Sequence, residues 1–514
     1  MQQLTNAIRP SPQQLAAVEF IKSPKAGNLF VEAVAGAGKS TLLRMMVEHM
    51  KFWTVICAFN KKISHEMTMK LVEANGMRDK LRVSTIHSMG FSAWGAYCRG
   101  GPKLIVDVKV KRTRMHVEIE TPDELQALVG KLVDLSRQAG VMLYWPVSDR
   151  AKWFEIIERH DLNEMVENDG ELDTAIDYAI KGLAFHKRTG KEIIDFEDMI
   201  WLPIVTEIKP FTYNWILVDE AQDTNPSRRA LIRKLLWKGG RVVFVGDRKQ
   251  AIYGFTGADN DAIEQIIRDF NCTSLPLTVT YRCPKSVVKL ARDYVDHIEA
   301  HESAPQGSVV DISAKDFREQ TIPTLKAGDS ILCRNTKPLV ACAFSLIKRM
   351  IPCHVEGRDI GAGLIELSNK FSKVRSIDVW RLRLENYRDR MVERLNAKGK
   401  ETQAQSVEDK VDTLLVLGEG CINVNQVADR IRQLFKDSYK EDGTLDPECI
   451  NRVVLSTVHK AKGREWDRVF ILGFNKYMPS KYARQEWQMD QERNIIYVAI
   501  TRSKNELALV EALE

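Results

Sequence analysis

Apolar runs bounded by glycine and polar clusters recur along this chain and alternate with segments of helical period. From about 28 to 85 the order is strand-like, helical, strand-like, and a second block of the same kind spans about 211–277. A third begins near 277 and continues past Cys333, and apolar strand character returns at Val453 and Val469. Between the first two blocks lies a charged stretch, about 121–202, whose apolar positions have helical spacing. An alternating run at 104–119 precedes it and predicts a strand. Residues 357–447 are again charged and helical in period, including Val379-Trp-Arg-Leu-Arg-Leu and Val407-Glu-Asp-Lys-Val-Asp-Thr-Leu-Leu. The pattern predicts an α/β fold of two domains with parallel sheets, each interrupted by a mainly helical insertion.

Two strand ends carry chemistry. The first is Leu29-Phe-Val-Glu-Ala-Val-Ala-Gly-Ala-Gly-Lys-Ser-Thr41, an apolar run that meets a glycine-rich turn and then a helix-compatible segment. Small residues at Ala35, Gly36, Ala37 and Gly38 let backbone N–H groups converge on phosphate oxygens, and the helix N-terminus adds its positive dipole end. Lys39 can reach the β- and γ-phosphates, Ser40 can ligate Mg²⁺, and Thr41 completes the cradle. The general pattern has glycine five residues before Gly38, where this chain has Ala33. The second is Trp215-Ile-Leu-Val-Asp-Glu-Ala-Gln-Asp-Thr224, a strand that ends in two adjacent carboxylates. Beside a phosphate loop, Asp219 can hold hydrated Mg²⁺, and Glu220 can polarise a water for in-line attack. Gln250 follows a further strand ending in Gly246-Asp247 and can sense the γ-phosphate.

Composition narrows the class. A chain of 514 residues implies several domains, and its 44% hydrophobic and 28% charged residues are the balance of an ordinary globular protein. No long uncharged apolar run predicts a membrane span, and Met1-Gln-Gln-Leu-Thr-Asn6 has no secretory pattern. Nine scattered cysteines without a Cys-x-x-Cys pair argue against a zinc site or disulfide framework. They point to a reducing, cytoplasmic location. A net charge of +6 is too small to establish nucleic-acid binding by itself.

With these motifs and others in order from Gln14 to Arg502, the chain resembles the UvrD/Rep/PcrA-like helicases of superfamily 1. Pro12-Gln-Gln-Leu-Ala-Ala-Val18 is similar to the family's adenine-reading glutamine motif, with Gln14 in place. Ala58-Phe-Asn-Lys-Lys62 looks like motif Ia and Ser84-Thr-Ile-His-Ser88 like motif Ib. Asp195-Phe-Glu-Asp-Met199 resembles the short marker before motif II, which is Val218-Asp-Glu-Ala-Gln-Asp223. The stretch from Val245 to Ala258 resembles motif III, Thr280-Tyr-Arg282 motif IV, the stretch from Leu455 to Trp466 motif V, and Tyr497-Val-Ala-Ile-Thr-Arg502 motif VI. The resemblance implies ATP and Mg²⁺ as ligands, with Tyr281 stacked on adenine, Glu465 on the ribose, and Arg282 and Arg502 at the γ-phosphate. The arginines suit that role as planar, permanently charged donors.

It also implies single-stranded DNA and strand–duplex junctions as partners, with travel from 3′ to 5′. Phe255 is the foremost base-stacking candidate and Tyr253 the second. The family usually has Trp-Arg where this chain has Phe255-Thr256, so stacking is kept and an arginine contact is absent. Phe59, Asn60 and Lys61 suit a groove that tracks the backbone, and Thr85, His87, Thr457, His459 and Lys462 suit phosphate contacts. Lys109, Lys111, Arg112 and Arg114 form a basic run that could touch duplex DNA or line a solvated strand face. In the family's terms, domain 1A is 1–98 with 195–278, insertion 1B is 99–194, domain 2A is 279–356 with 451–514, and a short insertion 2B is 357–450. Two other readings stay open: a translocase that displaces proteins from DNA, and an ATP-gated DNA-binding switch within a larger assembly.

Overall fold

The computed structural model describes residues 10–58, 64, 65, 67–69, 71, 79–99, 101, 103–160, 162–166, 168–252, 261–371, 374, 376–397, 401–438, 440, 444, 446–480, 483 and 486–513. The chain divides into two units, Met1–Ala33 with Gly38–Leu277, and Val34–Ala37 with Thr278–Glu514.

The first unit is built on six parallel strands: β1 Asn28–Ala33, β2 Thr54–Ala58, β3 Leu81–Thr85, β4 Tyr213–Val218, β5 Leu236–Gly246 and β6 Cys272–Leu277. Their order across the sheet is β3-β2-β4-β5-β1-β6. Parallel strands are covered by helices on both faces, and so read as near-continuous apolar runs. Phe30, Val31, Val55, Ile56, Leu217, Val218, Val243 and Phe244 accordingly lie within 1% of full burial. Because the strands are parallel, the chain leaves every one of them at the same sheet edge. Residues 34–41, 85–88, 219–224 and 247–250 therefore all start from the carboxyl edge, where open α/β sheets bind ligands.

A helical region, 108–189, separates β3 from β4. The alternating run 104–119 departs from the strand its pattern predicts. Only Ile105–Val106 is extended, pairing with Ile193–Ile194, and Val108–Glu118 is a helix. Asp107 caps it, its Oδ1 accepting from Val110 N at 2.9 Å. The buried Lys111 and Met115, four residues apart, set its inner face, while Val108 and Val110 are left exposed. The basic run is thereby divided: Lys109 and Arg114 are exposed, Arg112 pairs with Asp134, and Lys111 is fully buried. Lys111 cannot touch duplex DNA or line a solvated strand face.

Lys111 Nζ instead lies 2.5 Å from Asp198 Oδ2. Arg137 donates to Asp198 Oδ1 at 2.7 Å, to both oxygens of Asp195 at 2.8 and 2.9 Å, and to Asp134 Oδ1 at 2.7 Å. Asp195 and Asp198 form a capping box at the start of the helix Phe196–Val205. Burial opposes ionisation of Asp198, but His186, Arg137 and Lys111 outweigh it and hold the carboxyl far below the usual carboxylate range. His186, Asp195 and Asp198 bring metal-ligand atoms within 4.8 Å of one another, but Arg137 and Lys111 already supply the positive charge there. This network ties three helices of the inserted region to the marker Asp195-Phe-Glu-Asp198.

The second unit has seven parallel strands: β7 Ser308–Ile312, β8 Asp329–Cys333, β9 Cys353–Glu356, β10 Phe435–Lys436, β11 Val453–Thr457, β12 Trp466–Leu472 and β13 Ser503–Val510. Their order is β7-β13-β12-β8-β11-β9-β10. Between β9 and β10 the helices Arg358–Asn369, Ile377–Ala397, Glu401–Leu417 and Val424–Leu434 pack around Trp380, Leu384, Leu414, Val427 and Ile431. All nine cysteines are free, and no described helix is long and apolar enough to cross a membrane.

Removing one partner from a buried charge network leaves the others uncompensated, at a cost of about 3–5 kcal/mol. Arg137→Leu is expected to lower the unfolding free energy by about that amount, read from urea denaturation at neutral pH. The depressed Asp198 contributes stability that is complete above its unfolded pKa, about 3.9, and is lost as pH falls below it. A loss under about 1 kcal/mol would place the network with ordinary surface pairs.

Candidate nucleotide and nucleic-acid site

The loop after β1 is shaped by two left-handed glycines. Gly36 has φ +73° and Gly38 φ +80°, and Gly38 is the N-cap of the helix Lys39–Val47 with no side-chain cap. That leaves the first N–H groups of the helix to an outside acceptor. A Cβ on Gly38 would lie 2.7 Å from Gln14 Nε2. Ala35 and Ala37 are buried, and Ser40 and Thr41 are exposed at the start of the helix. Gln14 is also buried, and its carboxamide oxygen is taken by a capping box: it accepts from Ser11 N at 2.9 Å, while Ser11 Oγ accepts from Gln14 N at 3.1 Å. Its amide group therefore faces the loop.

Charge collects between the loop, β4 and β5. Lys39 Nζ lies 3.0 Å from Glu220 Oε1, an ion pair whose angle falls short of a good hydrogen bond. Burial would lower the Lys39 pKa, but Glu220, Asp219 and Asp247 together raise it above the ordinary value. Burial raises the Asp247 carboxyl, partly offset by Lys39 and Gln250. Gln250 Nε2 donates to Asp247 Oδ2 at 2.6 Å, and Gln222 Oε1 accepts from Asp247 N at 3.0 Å. Gln222 Nε2 in turn donates to Glu220 Oε2 at 2.5 Å. Glu220 has φ +52°, an uncommon conformation for a side chain of this kind. Such residues persist where surroundings force them, and they cluster at functional sites. A cavity of about 20 Å³ beside Glu220, lined also by Asp219, His87 and Arg228, has room for one water.

Among the described residues, Asp219, Glu220 and Asp247 lie around Lys39, with Arg228 at the wall of the cavity. Together with the exposed Ser40 hydroxyl, that donor set fits a hydrated divalent cation such as Mg²⁺, with Asp219 and Ser40 as the residues that would hold it. The cation would neutralise phosphate charge.

Thr85 and Thr457 share one local device. Each ends a strand and caps the following helix, its Oγ1 accepting from Ser88 N at 3.1 Å and from Lys460 N at 3.4 Å respectively. His87 and His459 follow two residues later. Burial and Arg228 lower the His87 pKa to about 4, and burial, Arg334 and Lys462 lower that of His459 to about 3. Both are neutral at pH 7, so they can offer a hydrogen bond but no charge. Lys462 is half-buried beside His459. Phe196, 58% exposed, stands edge-on to His87 with ring centroids 6.5 Å apart. Phe59, Asn60, Lys61, Tyr253 and Phe255 lie outside the described residues.

In the second unit, Tyr281 stacks on His301 with centroids 4.7 Å apart, and its buried phenol oxygen has no hydrogen-bond partner among the described residues. Arg282 and Glu465, two separate sequence candidates, pair with each other at 2.5 Å. Arg502 is 1% exposed and donates to Val498 O at 2.8 Å, Thr501 Oγ1 at 3.0 Å and Arg464 O at 3.1 Å. Sequence reasoning missed Asp247, Phe196, His301 and Arg464. Asp247 could have been found, since it ends a strand next to Gln250. The other three depend on distant contacts.

The UvrD/REP helicase N-terminal domain model matches residues 11–271, and the UvrD-like helicase C-terminal domain model matches 362–514. The chain belongs to the UvrD/Rep helicase family. DNA helicase II of Escherichia coli is 21% identical over 620 aligned positions, covering 96% of this chain and 83% of that protein. The F-box DNA helicase protein 1 of Schizosaccharomyces pombe is 26% identical over 323 positions, covering 59% of this chain and 34% of that protein. The ATP-dependent DNA helicase Rep of Salmonella typhimurium is 25% identical over 309 positions, covering 55% of this chain and 43% of that protein. The chain thus matches less than half the length of these last two relatives.

A left-handed conformation costs an L-residue roughly 1–2 kcal/mol, and at Gly38 a methyl group also meets Gln14. Gly38→Ala is expected to abolish binding of a fluorescent ATP analogue at concentrations that saturate the parent, with the unfolding midpoint shifted by only a few degrees. Undiminished analogue binding would show that this loop is not the phosphate cradle.

Proposed function

We propose that this chain is an ATP-dependent DNA helicase or translocase that moves 3′ to 5′ on single-stranded DNA. The observation that carries the reading is the half-buried Lys39–Glu220 pair at the edge of β4, with Asp219, Asp247 and Gln250 around it and a water-sized cavity beside Glu220. Lys39 holds the β- and γ-phosphates, Asp219 and Ser40 hold Mg²⁺, and Glu220 accepts a proton from the attacking water. Gln250 is the γ-phosphate sensor. Gln14 and Tyr281 recognise the base, and Glu465 the ribose. Arg282 and Arg502 stabilise charge on the γ-phosphate, a contribution of about a thousandfold or more in phosphoryl transfer. The Arg282–Glu465 pair gives that arginine a resting partner to leave.

For DNA, the helix-capping Thr85 and Thr457, each followed two residues later by a neutral histidine, suit phosphate contacts. Lys462 adds a charge beside the second. Phe196 offers a base-stacking face next to His87; Phe255 and Tyr253 in motif III are the other stacking candidates, and Phe59, Asn60 and Lys61 in motif Ia suit a groove that tracks the backbone. The domain scheme is 1A at 1–98 and 195–278, 1B at 99–194, 2A at 279–356 and 451–514, and a short 2B at 357–450. Support comes from the family membership and from relatives named as DNA helicases.

Strand displacement on duplexes with a 3′ or a 5′ single-stranded tail tests the reading. Wild-type protein is expected to separate the 3′-tailed duplex with ATP and leave the 5′-tailed one paired. Glu220→Gln should bind ATP and fail to hydrolyse it. Phe196→Ala should weaken single-strand affinity by roughly 1–3 kcal/mol, the size of one stacked base. DNA-stimulated phosphate release without displacement of either duplex would favour the protein-displacing translocase. Phosphate release near the wild-type rate in Glu220→Gln would remove Glu220 from its role.

A further inference from the structure

The second unit holds a buried carboxylate that none of these roles uses. Glu356 ends β9, where the chain leaves the sheet for its helical insertion, and it is 6% exposed. Its carboxylate accepts from Ser438 N at 3.1 Å, from the Ser438 hydroxyl, and from Arg464 Nη1 at 2.5 Å, with His354 Nε2 at 3.3 Å. Ser438 lies just after β10, where the chain returns from the insertion. Asp437 Oδ1 accepts from Gly357 N and Arg358 N at 3.2 and 3.3 Å, so the outgoing and returning strands are tied together at this point.

Arg464 leads elsewhere. Its carbonyl oxygen accepts from Arg502 Nη1 at 3.1 Å, and its neighbour Glu465 pairs with Arg282. Its guanidinium also lies 5.5 Å from the Trp466 ring centroid. One two-residue segment, 464–465, therefore holds both arginines, and one side chain, Glu356, holds that segment to both roots of the insertion. Burial would raise the Glu356 pKa, but His354, Arg464 and Ser438 bring it down to about 2, so the clamp stays ionised at every working pH.

We propose that Glu356 is a positioning residue for ATP hydrolysis: through Arg464 it sets the placement of Arg502 and of the Arg282–Glu465 pair, and so couples the roots of the insertion to the arginines. This rests on the proposed γ-phosphate role of Arg282 and Arg502. Glu356 does not touch nucleotide. Its effect should appear foremost in the rate of the chemical step, where arginine placement matters, with at most a small change in affinity through the ribose contact of Glu465.

The test is steady-state ATP hydrolysis by the full chain at saturating single-stranded DNA, with kcat and KM for ATP measured beside the melting temperature. Glu356→Gln is expected to lower kcat about tenfold, to leave KM within about twofold, and to melt within a few degrees of the parent. Arg464→Met should do the same and Arg464→Lys should recover part of the loss. The Glu356→Gln/Arg464→Met double variant should be no slower than the slower single one, since both remove one contact. Should Glu356→Gln fail to fold, the Arg464 pair carries the same expectation. Unchanged kcat in Glu356→Gln, or parallel losses in kcat, affinity and melting temperature in the Arg464 variants, overturns the proposal. Arg502→Ala separates the two levels of the argument. If it is crippled while Glu356→Gln is normal, only the clamp is wrong. If Arg502→Ala turns over ATP like the parent, the γ-phosphate role itself is wrong.

Discussion

A lysine ammonium held among three carboxylates at the edge of a parallel sheet is the interaction on which the rest depends. Lys39, Glu220, Asp219 and Asp247 come from three different strand ends, and only a parallel sheet delivers all three to one edge. Burying these charges is costly unless they are paired, and among the described residues three carboxylates stand around the one lysine. That grouping favours a divalent cation with a phosphorylated ligand, which the two left-handed glycines and the uncapped helix start are shaped to receive. The strained backbone at Glu220 belongs to the same arrangement.

A second charge network, more deeply buried, has its charges compensated and has a different consequence. Arg137 and Lys111 saturate Asp195 and Asp198, leaving no imbalance for a ligand to correct. It fixes an insertion to the sheet-bearing part of its unit. The contrast separates a site from a staple by access: the first network borders a cavity and exposed Ser40, whereas the second is closed on all sides.

The parts of the candidate nucleotide site that stand together at the sheet edge could be singled out because each is local in sequence. Gly36 to Ser40 and Val218 to Glu220 each carry strand, turn and chemistry within a few residues, and their order along the chain identified the family. The two α/β blocks were legible from apolar runs for the same reason. The run 104–119 was misread because Val108 and Val110 alternate with polar residues, while the decisive partner of Lys111 is Asp198, 87 positions later. The same limit hid Glu356, whose contacts with Ser438 and Arg464 span 82 and 108 positions. Tyr281 and Arg282 were singled out, but their partners His301 and Glu465 were not paired with them, since nothing local specifies those contacts.

The central claim is that ATP hydrolysis at the Lys39–Glu220 site is driven by single-stranded DNA. Steady-state phosphate release with and without a single-stranded oligodeoxythymidylate, run beside an oligouridylate of equal length, measures it directly. The account predicts at least a tenfold rise with the DNA, a smaller rise with the RNA, and no turnover in Lys39→Ala under either condition. Equal turnover with and without DNA, or DNA-stimulated turnover that survives in Lys39→Ala, would contradict it.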